Sequence, residues 1–185
     1  MARYFQIGLH DLRSKLGIIP QDPTLFQGAM RFNLDPLEQH SDHEIWEVLN
    51  KCRLAEIIHQ DKRLLDTPVA EDGENCSVGQ RQLVCLARSL LQKHEILVLD
   101  EATASIDTET DNVMQKTIRE ETSRCTVITI AHRIPSIFDS DLVLNLLNFI
   151  GYTEKVVEFD SPTWLQRDGP SAFSKLVNEF LRRSL

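Results

Sequence analysis

Short apolar runs alternate with longer amphipathic stretches along the chain, and this pattern predicts an α/β fold. Ile96–Leu99 is a run of large apolar residues that ends in two carboxylates, which is typical of a strand buried on both faces of a parallel sheet. Thr126–Ile130 is rich in β-branched residues and predicts the next strand. A helix predicted near Thr108–Glu121 would connect the two strands as a right-handed βαβ unit. We therefore expect a mostly parallel sheet flanked by helices, with a helical subdomain.

The same periodicities predict the remaining elements. A helix is expected from about Gly79 to Lys93, with a buried stripe of apolar residues at helical spacing: Leu83, Leu86, Ala87, Leu90 and Leu91. Further strands are predicted at Leu16–Ile19, Asp141–Leu147 and Lys155–Phe159, and further helices at 41–53, 54–60, from 161, and at 171–183. Thr24–Leu37 and Leu65–Cys76 are expected to be loops, turns and surface connections. The connection within Asn145–Lys155 is longer than a tight hairpin by about five residues.

Composition and charge narrow the possible function classes. The chain has 185 residues and a formal net charge of -8, which argues against general nucleic-acid binding because that role usually needs a basic face. The four cysteines lack metal-ligand spacing and no secretory leader precedes them, so we expect reduced thiols on the cytosolic side of a membrane. No apolar run of about eighteen residues occurs, and we expect no direct membrane insertion.

Polar side chains follow three predicted strands at the point where each strand ends. Asp100 and Glu101 directly follow Ile96–Leu99, His132 follows Thr126–Ile130 after one alanine, and Gln21 follows Leu16–Ile19. Parallel strands end at a common edge, where open α/β sheets bind their ligands. One carboxylate there can hold Mg²⁺ while the other orients a water. A polar strand end that merely feeds a loop is the alternative for an isolated Asp-Glu pair.

The segment Ser77-Val78-Gly79-Gln80 opens the predicted helix that ends near Lys93. Ser77 and Gln80, three positions apart, fit a capping box that any helix can use. The other interpretation is a phosphate site, made by a serine hydroxyl, a glycine amide and a helix N-terminus. The segment taken alone favours the simple cap.

Together, these motifs resemble the nucleotide-binding domain of ABC transporters. Glu95–Asp107 is similar to the Walker B strand with its D-loop, Ser77–Gln80 to the signature motif, Gln21 to the Q-loop glutamine and His132 to the switch histidine. Closer likeness to the second nucleotide-binding domain of plant C-subfamily (multidrug-resistance-associated) members is carried by longer stretches: Gly17–Phe26, Asn33–Leu37, Ala102–Asp107, Ser123–Ile134 and Phe173–Val177. The likeness extends over nearly the whole chain from about Ile7.

The resemblance implies a cofactor set and a role for each motif. ATP and Mg²⁺ are the cofactors; Asp100 and Gln21 would serve the metal, Glu101 would be the general base, and His132 would contact the γ-phosphate. Ser77, Val78, Gly79, Gln80 and Asp107 would serve the ATP of an opposite domain. The chain would form one truncated nucleotide-binding domain (1–185), with a helical subdomain at about 34–93, a core at about 94–160 and C-terminal helices at 161–185. Its partners would be transmembrane domains and a second nucleotide-binding domain, with no nucleic acid.

One family element does not occur in these 185 residues. No Gly-x-x-x-x-Gly-Lys-Ser/Thr segment, the phosphate-cradling Walker A loop, is found. We therefore expect that the chain does not hydrolyse ATP alone, and that its sheet exposes an apolar edge or face. It would belong to an exporter of organic anions or glutathione conjugates, at the cytosolic face of a vacuolar or plasma membrane.

Two other functions remain open at this point. The chain can instead be a catalytically inactive interaction module that pairs with another nucleotide-binding domain, and it would then be cytoplasmic. A soluble ABC-type ATPase of chromosome maintenance is disfavoured because such proteins insert long coiled coils, and no sustained heptads occur here.

Overall fold

The computed structural model describes residues 8–131, 134–148, 154–167 and 171–183, and the chain divides into two compact units after Ile130. The first unit contains α1 (Leu9–Ser14), β1 (Leu16–Ile19), β2 (Gly28–Ala29), α2 (Met30–Leu34), α3 (Asp42–Lys51), α4 (Ala55–His59), β3 (Pro68–Val69), α5 (Val78–Gln92), β4 (Ile96–Asp100), α6 (Thr108–Glu121) and β5 (Thr126–Ile130). The second unit contains α7 (Ile134–Phe138), β6 (Val143–Asn148), β7 (Glu154–Asp160), α8 (Pro162–Arg167) and α9 (Ala172–Arg183).

A parallel sheet in the order β1–β4–β5 forms the centre of the first unit. The three predicted strands are confirmed, and β4 extends one residue beyond the prediction to Asp100. The predicted βαβ unit is also confirmed, because α6 connects β4 to its parallel neighbour β5. The predicted α/β fold class is therefore the observed one.

Helix α5 carries most of its predicted apolar stripe into the core of the first unit. Leu83, Leu86, Ala87 and Leu91 are buried, whereas Leu90 is half-buried. Met114 and Ile118 of α6 are buried in the same core. Burial of aliphatic side chains on this scale is the main force that holds the two helices to the sheet.

The prediction that the central strand is buried on both faces is wrong. Leu97 and Leu99 are buried, but Ile96 and Val98 on the opposite face are only partly covered. The parallel register aligns Ile18, Val98 and Ile128 in one row across the three strands. Ile18 is 59% exposed and Ile128 is 49% exposed. The sheet therefore has one covered face and one exposed apolar face, as expected from the sequence.

The region between β1 and α5 is more ordered than the sequence indicated. The predicted loop Thr24–Leu37 contains β2 and α2, and the predicted connection Leu65–Cys76 contains β3 and two short 3-10 turns. β2 pairs with β3 in an antiparallel arrangement. Two-residue strands are too short to produce a periodic sequence signal, which explains why both were missed. α3 lies within the helix predicted at 41–53, and Ser41 caps it by forming a capping box with Glu44.

The second unit is an antiparallel hairpin with short helices. β6 pairs with β7, with an irregularity in register between Asn145 and Leu146. The helix predicted from 161 is α8, and Pro162 is its first residue. The Glu158 carboxylate accepts hydrogen bonds from the first two amides of α9, at Ala172 and Phe173. The long connection predicted between the hairpin strands falls on 149–153, outside the described residues.

No helix within the described ranges is long and apolar enough to cross a membrane. The four cysteines are free thiols, and burial raises the pKa of Cys52 to about 12. Burial likewise raises the pKa of the other three thiols, at Cys76, Cys85 and Cys125. These thiols are therefore weak nucleophiles at neutral pH.

Candidate functional site

The parallel register brings the carboxyl ends of the three strands to one edge of the sheet. Leu99 of β4 pairs with Ile19 of β1, and Asp100 pairs with Ile130 of β5. Gln21 therefore follows its strand at the same edge where Asp100 and Glu101 leave theirs. His132 lies outside the described residues. The sheet thus gathers the acidic pair and the backbone of the Gln21 loop at the edge where α/β sheets bind ligands.

Glu101 leaves the sheet in a fixed and uncommon backbone conformation. Its φ angle is +47°, in the left-handed region. Its N–H donates to the carbonyl oxygen of Ile130 at 3.0 Å, and its carbonyl oxygen accepts from the Ala104 N–H at 2.9 Å. A non-glycine residue in this conformation is strained by about 1–3 kcal/mol, and such strain is concentrated at functional sites. The ladder bond and the turn together hold Glu101 directly beside the exposed Asp100.

The loop after the acidic pair is anchored at both ends. Ala102 and Ile106 are buried in the core of the first unit. Asp107 caps α6, accepting hydrogen bonds from the backbone N–H of Thr110 at 2.9 Å and from its hydroxyl at 2.7 Å. These bonds, the backbone one foremost, hold the pKa of Asp107 below its usual value. Asp107 is therefore fixed at the start of α6 as a carboxylate.

Ser77 and Gln80 form the predicted capping box at the start of α5. The Gln80 N–H donates to Ser77 Oγ at 3.1 Å, and the Ser77 N–H donates to Gln80 Oε1 at 3.0 Å. Ser77 is exposed, whereas Gly79 is buried against the side chain of Thr110 from α6. The cap uses a lone pair of the Ser77 oxygen, so its hydroxyl hydrogen can still be donated to an anion. Helix packing therefore places the Ser77 turn beside the helix that Asp107 caps.

The donor set at the strand edge fits magnesium that arrives with a nucleotide. Among the described residues no cluster of three or more His, Cys, Asp or Glu side chains could hold a metal. Mg²⁺ bound with a phosphate substrate needs only one or two protein carboxylates, because phosphate and water oxygens complete its shell. The exposed carboxylate of Asp100 meets that requirement.

A pocket of about 420 Å³ lies away from this edge. Its lining includes His94, Glu95 and Cys125. These residues directly precede β4 and β5, so the pocket lies at the amino ends of these strands. Lys51 in its wall is already paired, with Glu47 at 3.0 Å and with Glu121 at 2.8 Å. The pocket is therefore a cleft between helices that is remote from the acidic pair.

Comparison with known families decides what kind of domain this is. The family model for the ABC transporter matches residues 3–104. The chain belongs to the ABC transporter family. It is 59% identical over 178 residues to ABC transporter C family member 3 of Arabidopsis thaliana, covering 96% of this chain and 11% of that protein. It is 60% identical over 178 residues to ABC transporter C family MRP4 of Zea mays, covering 96% of this chain and 12% of that protein.

A solved structure agrees with the sequence comparison. A bacterial Atm1-family ABC exporter with ATP bound is similar with a TM-score of 0.78 and 31% sequence identity, over 95% of this chain and 29% of that chain. The fold is thus that of the nucleotide-binding domain of an ABC exporter, and the close relatives are plant C-family transporters. The chain spans only 11% to 12% of the length of those plant relatives.

Sequence reasoning missed the structural role of three polar residues of this ABC domain: Gln82, Arg88 and Asn33. Gln82 of α5 is 1% exposed and donates two hydrogen bonds to the loop after β1. Arg88 of the same helix donates to the carbonyl oxygen of Thr24 and to the backbone and side chain of Asn33. The available signal was a glutamine four residues before Leu86, a polar side chain within an otherwise apolar stripe.

Proposed function

We propose that the chain supplies part of the ATPase machinery of a C-family exporter, which couples ATP binding and hydrolysis to the export of organic anions or glutathione conjugates. The observation that carries the proposal is the position of Asp100 and Glu101 at the carboxyl edge of the central strand. Partners would be transmembrane domains and a second nucleotide-binding domain. The site of action would be the cytosolic face of a vacuolar or plasma membrane.

Each residue at the strand edge has a proposed role. Asp100 and the Gln21 amide would hold Mg²⁺, which would supply positive charge at the phosphates of ATP. Glu101 accepts the proton of the attacking water, a role that contributes about 10²–10⁴-fold in comparable enzymes. His132 contacts the γ-phosphate. The strained, hydrogen-bonded backbone at Glu101 supports this assignment, because it fixes the direction in which the base leaves the strand.

The start of α5 has a separate role in the proposal. Ser77, Val78, Gly79 and Gln80, with Asp107, bind the γ-phosphate end of an ATP held by the opposite domain. The exposed serine at the N-terminus of a 15-residue helix supports this role, since unpaired N–H groups and the helix dipole favour phosphate there. The carboxylate of Asp107, fixed by Thr110, would orient the loop at the same interface.

The 185 residues contain no phosphate-cradling lysine loop, so the proposal requires that another polypeptide segment supplies it. The isolated chain then shows no magnesium-dependent ATP hydrolysis. A partner nucleotide-binding domain with an intact phosphate loop would gain activity from the signature turn of this chain. Detectable magnesium-dependent hydrolysis by the pure chain would refute this part of the proposal.

Titration of such a partner domain with this chain tests the proposal. Magnesium-dependent ATPase activity of the partner should rise with chain concentration and then saturate. Ser77→Arg should abolish the stimulation, because its long side chain occupies the position of the phosphate. Ser123→Arg is the matched control, since Ser123 is an exposed serine in the turn before β5. Equal stimulation by wild type and Ser77→Arg would overturn the role of the signature turn.

A second function is compatible with the absence of a phosphate loop from these 185 residues. As a catalytically inactive interaction module, the chain would occupy the partner's surface without completing its site. The same titration separates the two functions, because an inactive module lowers the partner's turnover whereas a complementing half-site raises it. In the inactive case, substitution of Glu101 by Gln would leave the lowered turnover unchanged.

A further inference from the structure

Gln82 connects helix α5 to the loop that carries Gln21. Its Nε2 atom donates to the carbonyl oxygen of Pro20 at 3.0 Å and to the carbonyl oxygen of Gln21 at 2.8 Å. The side chain is 1% exposed, so water does not compete for these bonds. Two consecutive carbonyl groups of the loop are thus fixed to one side chain of the helix.

The chemistry of this contact requires a primary amide. Both hydrogens of Nε2 are used by carbonyl oxygens, and the reversed amide would set Oε1 against those same oxygens. Oε1 itself is buried and has no hydrogen-bond partner among the described residues. The glutamine therefore holds the loop through its two amide donors alone.

Helix α5 connects Gln82 to the Ser77 turn. Gln82 lies within the first turns of α5, three residues after Gly79 and five after the capping Ser77. A continuous helix moves as a rigid element, so a displacement of its N-terminus also displaces Gln82 and the two carbonyl groups bound to it. Arg88, further along, holds Thr24 and Asn33 instead and does not contact Gln21.

We propose that Gln82 is a positioning residue that transmits movement of the Ser77 turn to the backbone of Gln21. The inference rests on the proposed function, in which the Ser77 turn serves the ATP of the opposite domain and Gln21 serves the metal site of its own domain. One amide would then link the two ATP sites across a single domain. ATP binding at one site would then change the position of the loop at the other site through these two hydrogen bonds.

Carbonyl ¹³C NMR on the full 185-residue chain tests the connection itself, because the contact uses the carbonyl oxygens of Pro20 and Gln21. Gln82→Met keeps the length of the side chain and removes both donors, so the carbonyl ¹³C resonances of Pro20 and Gln21 should move upfield, as they do when a carbonyl oxygen loses a hydrogen bond. Resonances of α6 should stay unchanged, which shows that the variant is folded. The control is Gln92→Met, at an exposed position of the same helix. Unchanged carbonyl resonances at Pro20 and Gln21 in a folded Gln82→Met chain would overturn the inference.

Wild-type protein gives an answer even if the variant fails to fold. The two Nε2 protons of Gln82 should be resolved by NMR and exchange slowly with solvent, as buried donors do. Rapid exchange of these protons, at the rate of an exposed glutamine such as Gln92, would overturn the connection without any substitution.

Transmission is tested by adding a partner nucleotide-binding domain with an intact phosphate loop, magnesium and a non-hydrolysable ATP analogue. Amide exchange should slow at Ser77 in both chains, and the carbonyl ¹³C resonance of Gln21 should shift in the wild-type chain but not in Gln82→Met. With Ser77 protected, no shift at Gln21 in the wild type, or an equal shift in the variant, would refute transmission through Gln82. If Ser77 is not protected in either chain, the proposed function fails, and the experiments on the isolated chain still decide whether Gln82 holds the loop.

Discussion

Gly79 of α5 lies so close to Thr110 of α6 that a Cβ atom on Gly79 would be 2.9 Å from both Thr110 Oγ1 and Thr110 Cγ2. Real Cβ atoms essentially never make a non-bonded contact that short, so the glycine allows the two helices to start side by side. Thr110 is itself held by the Asp107 cap. The Ser77 turn and the first turn of α6 are therefore packed against each other.

Gly79→Ala is expected to destabilise the first unit despite the better helix propensity of alanine. Overpacking against Thr110 should lower the free energy of unfolding by about 1–3 kcal/mol, and Thr110→Ala in the same chain should recover part of that loss. A double-mutant cycle by urea denaturation measures the coupling, which we expect at about 0.5–3 kcal/mol. Gly8→Ala is the control, because its Cβ would meet mainly the exposed Asp11 carboxylate. Purely additive effects would show that the helices do not depend on this contact.

Asn33 organises the segment after the Gln21 loop through buried hydrogen bonds. It is 1% exposed, accepts from the Phe26 N–H at 2.8 Å and donates to the carbonyl oxygens of Phe26 and Ala29. The Arg88 guanidinium also donates to its side-chain oxygen at 2.9 Å, and lies 5.9 Å from the centre of the Phe26 ring. The backbone of Phe26 is thus fixed by Asn33, and the Arg88 guanidinium packs near its exposed ring.

Asn33→Ala should lower the free energy of unfolding by about 2–4 kcal/mol, because it leaves several buried partners without hydrogen bonds. Urea denaturation followed by circular dichroism measures the loss. The matched control is Asn50→Ala on α3, an exposed asparagine whose side chain donates to the Trp46 carbonyl oxygen. A loss at position 33 no larger than that at position 50 would contradict the network.

The elements that sequence patterns predicted well are those specified by neighbouring residues. The apolar run before Asp100 and the β-branched run Thr126–Ile130 each fill a strand by themselves, and Ser77 with Gln80 forms its cap within one helical turn. The acidic pair could be placed at the sheet edge because strand direction alone determines where its carboxyl end lies.

The features that were missed depend on residues far apart in sequence. Gln82 contacts Pro20 and Gln21 across about sixty residues, and β2 exists only because Gly28 pairs with Val69. Local periodicity contains no information on such pairs. The burial of both faces of β4 was predicted from the apolar run Ile96–Leu99. The cover of Val98 depends instead on which residues pack on that face of the sheet, and the composition of the strand does not specify them.

The Asp107 cap should make stability depend on pH in a defined direction. Its pKa is held below the ordinary value of 3.8, so the cap contributes fully above that value and is lost as the pH falls through the lower pKa of the folded state. Asp107→Asn keeps a capping oxygen that does not titrate, and it should therefore flatten the acid limb of a plot of unfolding free energy against pH. Asp107→Ala should be less stable than wild type near pH 7. An unchanged acid limb in Asp107→Asn would refute the assignment.

The exposed face of the sheet should govern self-association of the chain. Ile18 and Ile128 stand at the two ends of the row that crosses β1, β4 and β5, and contiguous apolar surface of this kind promotes association. Ile18→Thr with Ile128→Thr retains β-branched residues while removing apolar area. The double variant should bind less of a hydrophobic dye and sediment as a smaller species.

Ile19 provides the control, because it follows Ile18 directly but points to the other face and is 0% exposed. Ile19→Thr buries a hydroxyl and loses a packed methyl group, so it should reduce stability by about 1–3 kcal/mol, whereas the exposed pair should change it by no more than about 0.5 kcal/mol each. Because neighbouring residues on one strand then behave oppositely, the experiment separates the two faces. Equal losses at positions 18 and 19 would mean that the upper face is covered in solution.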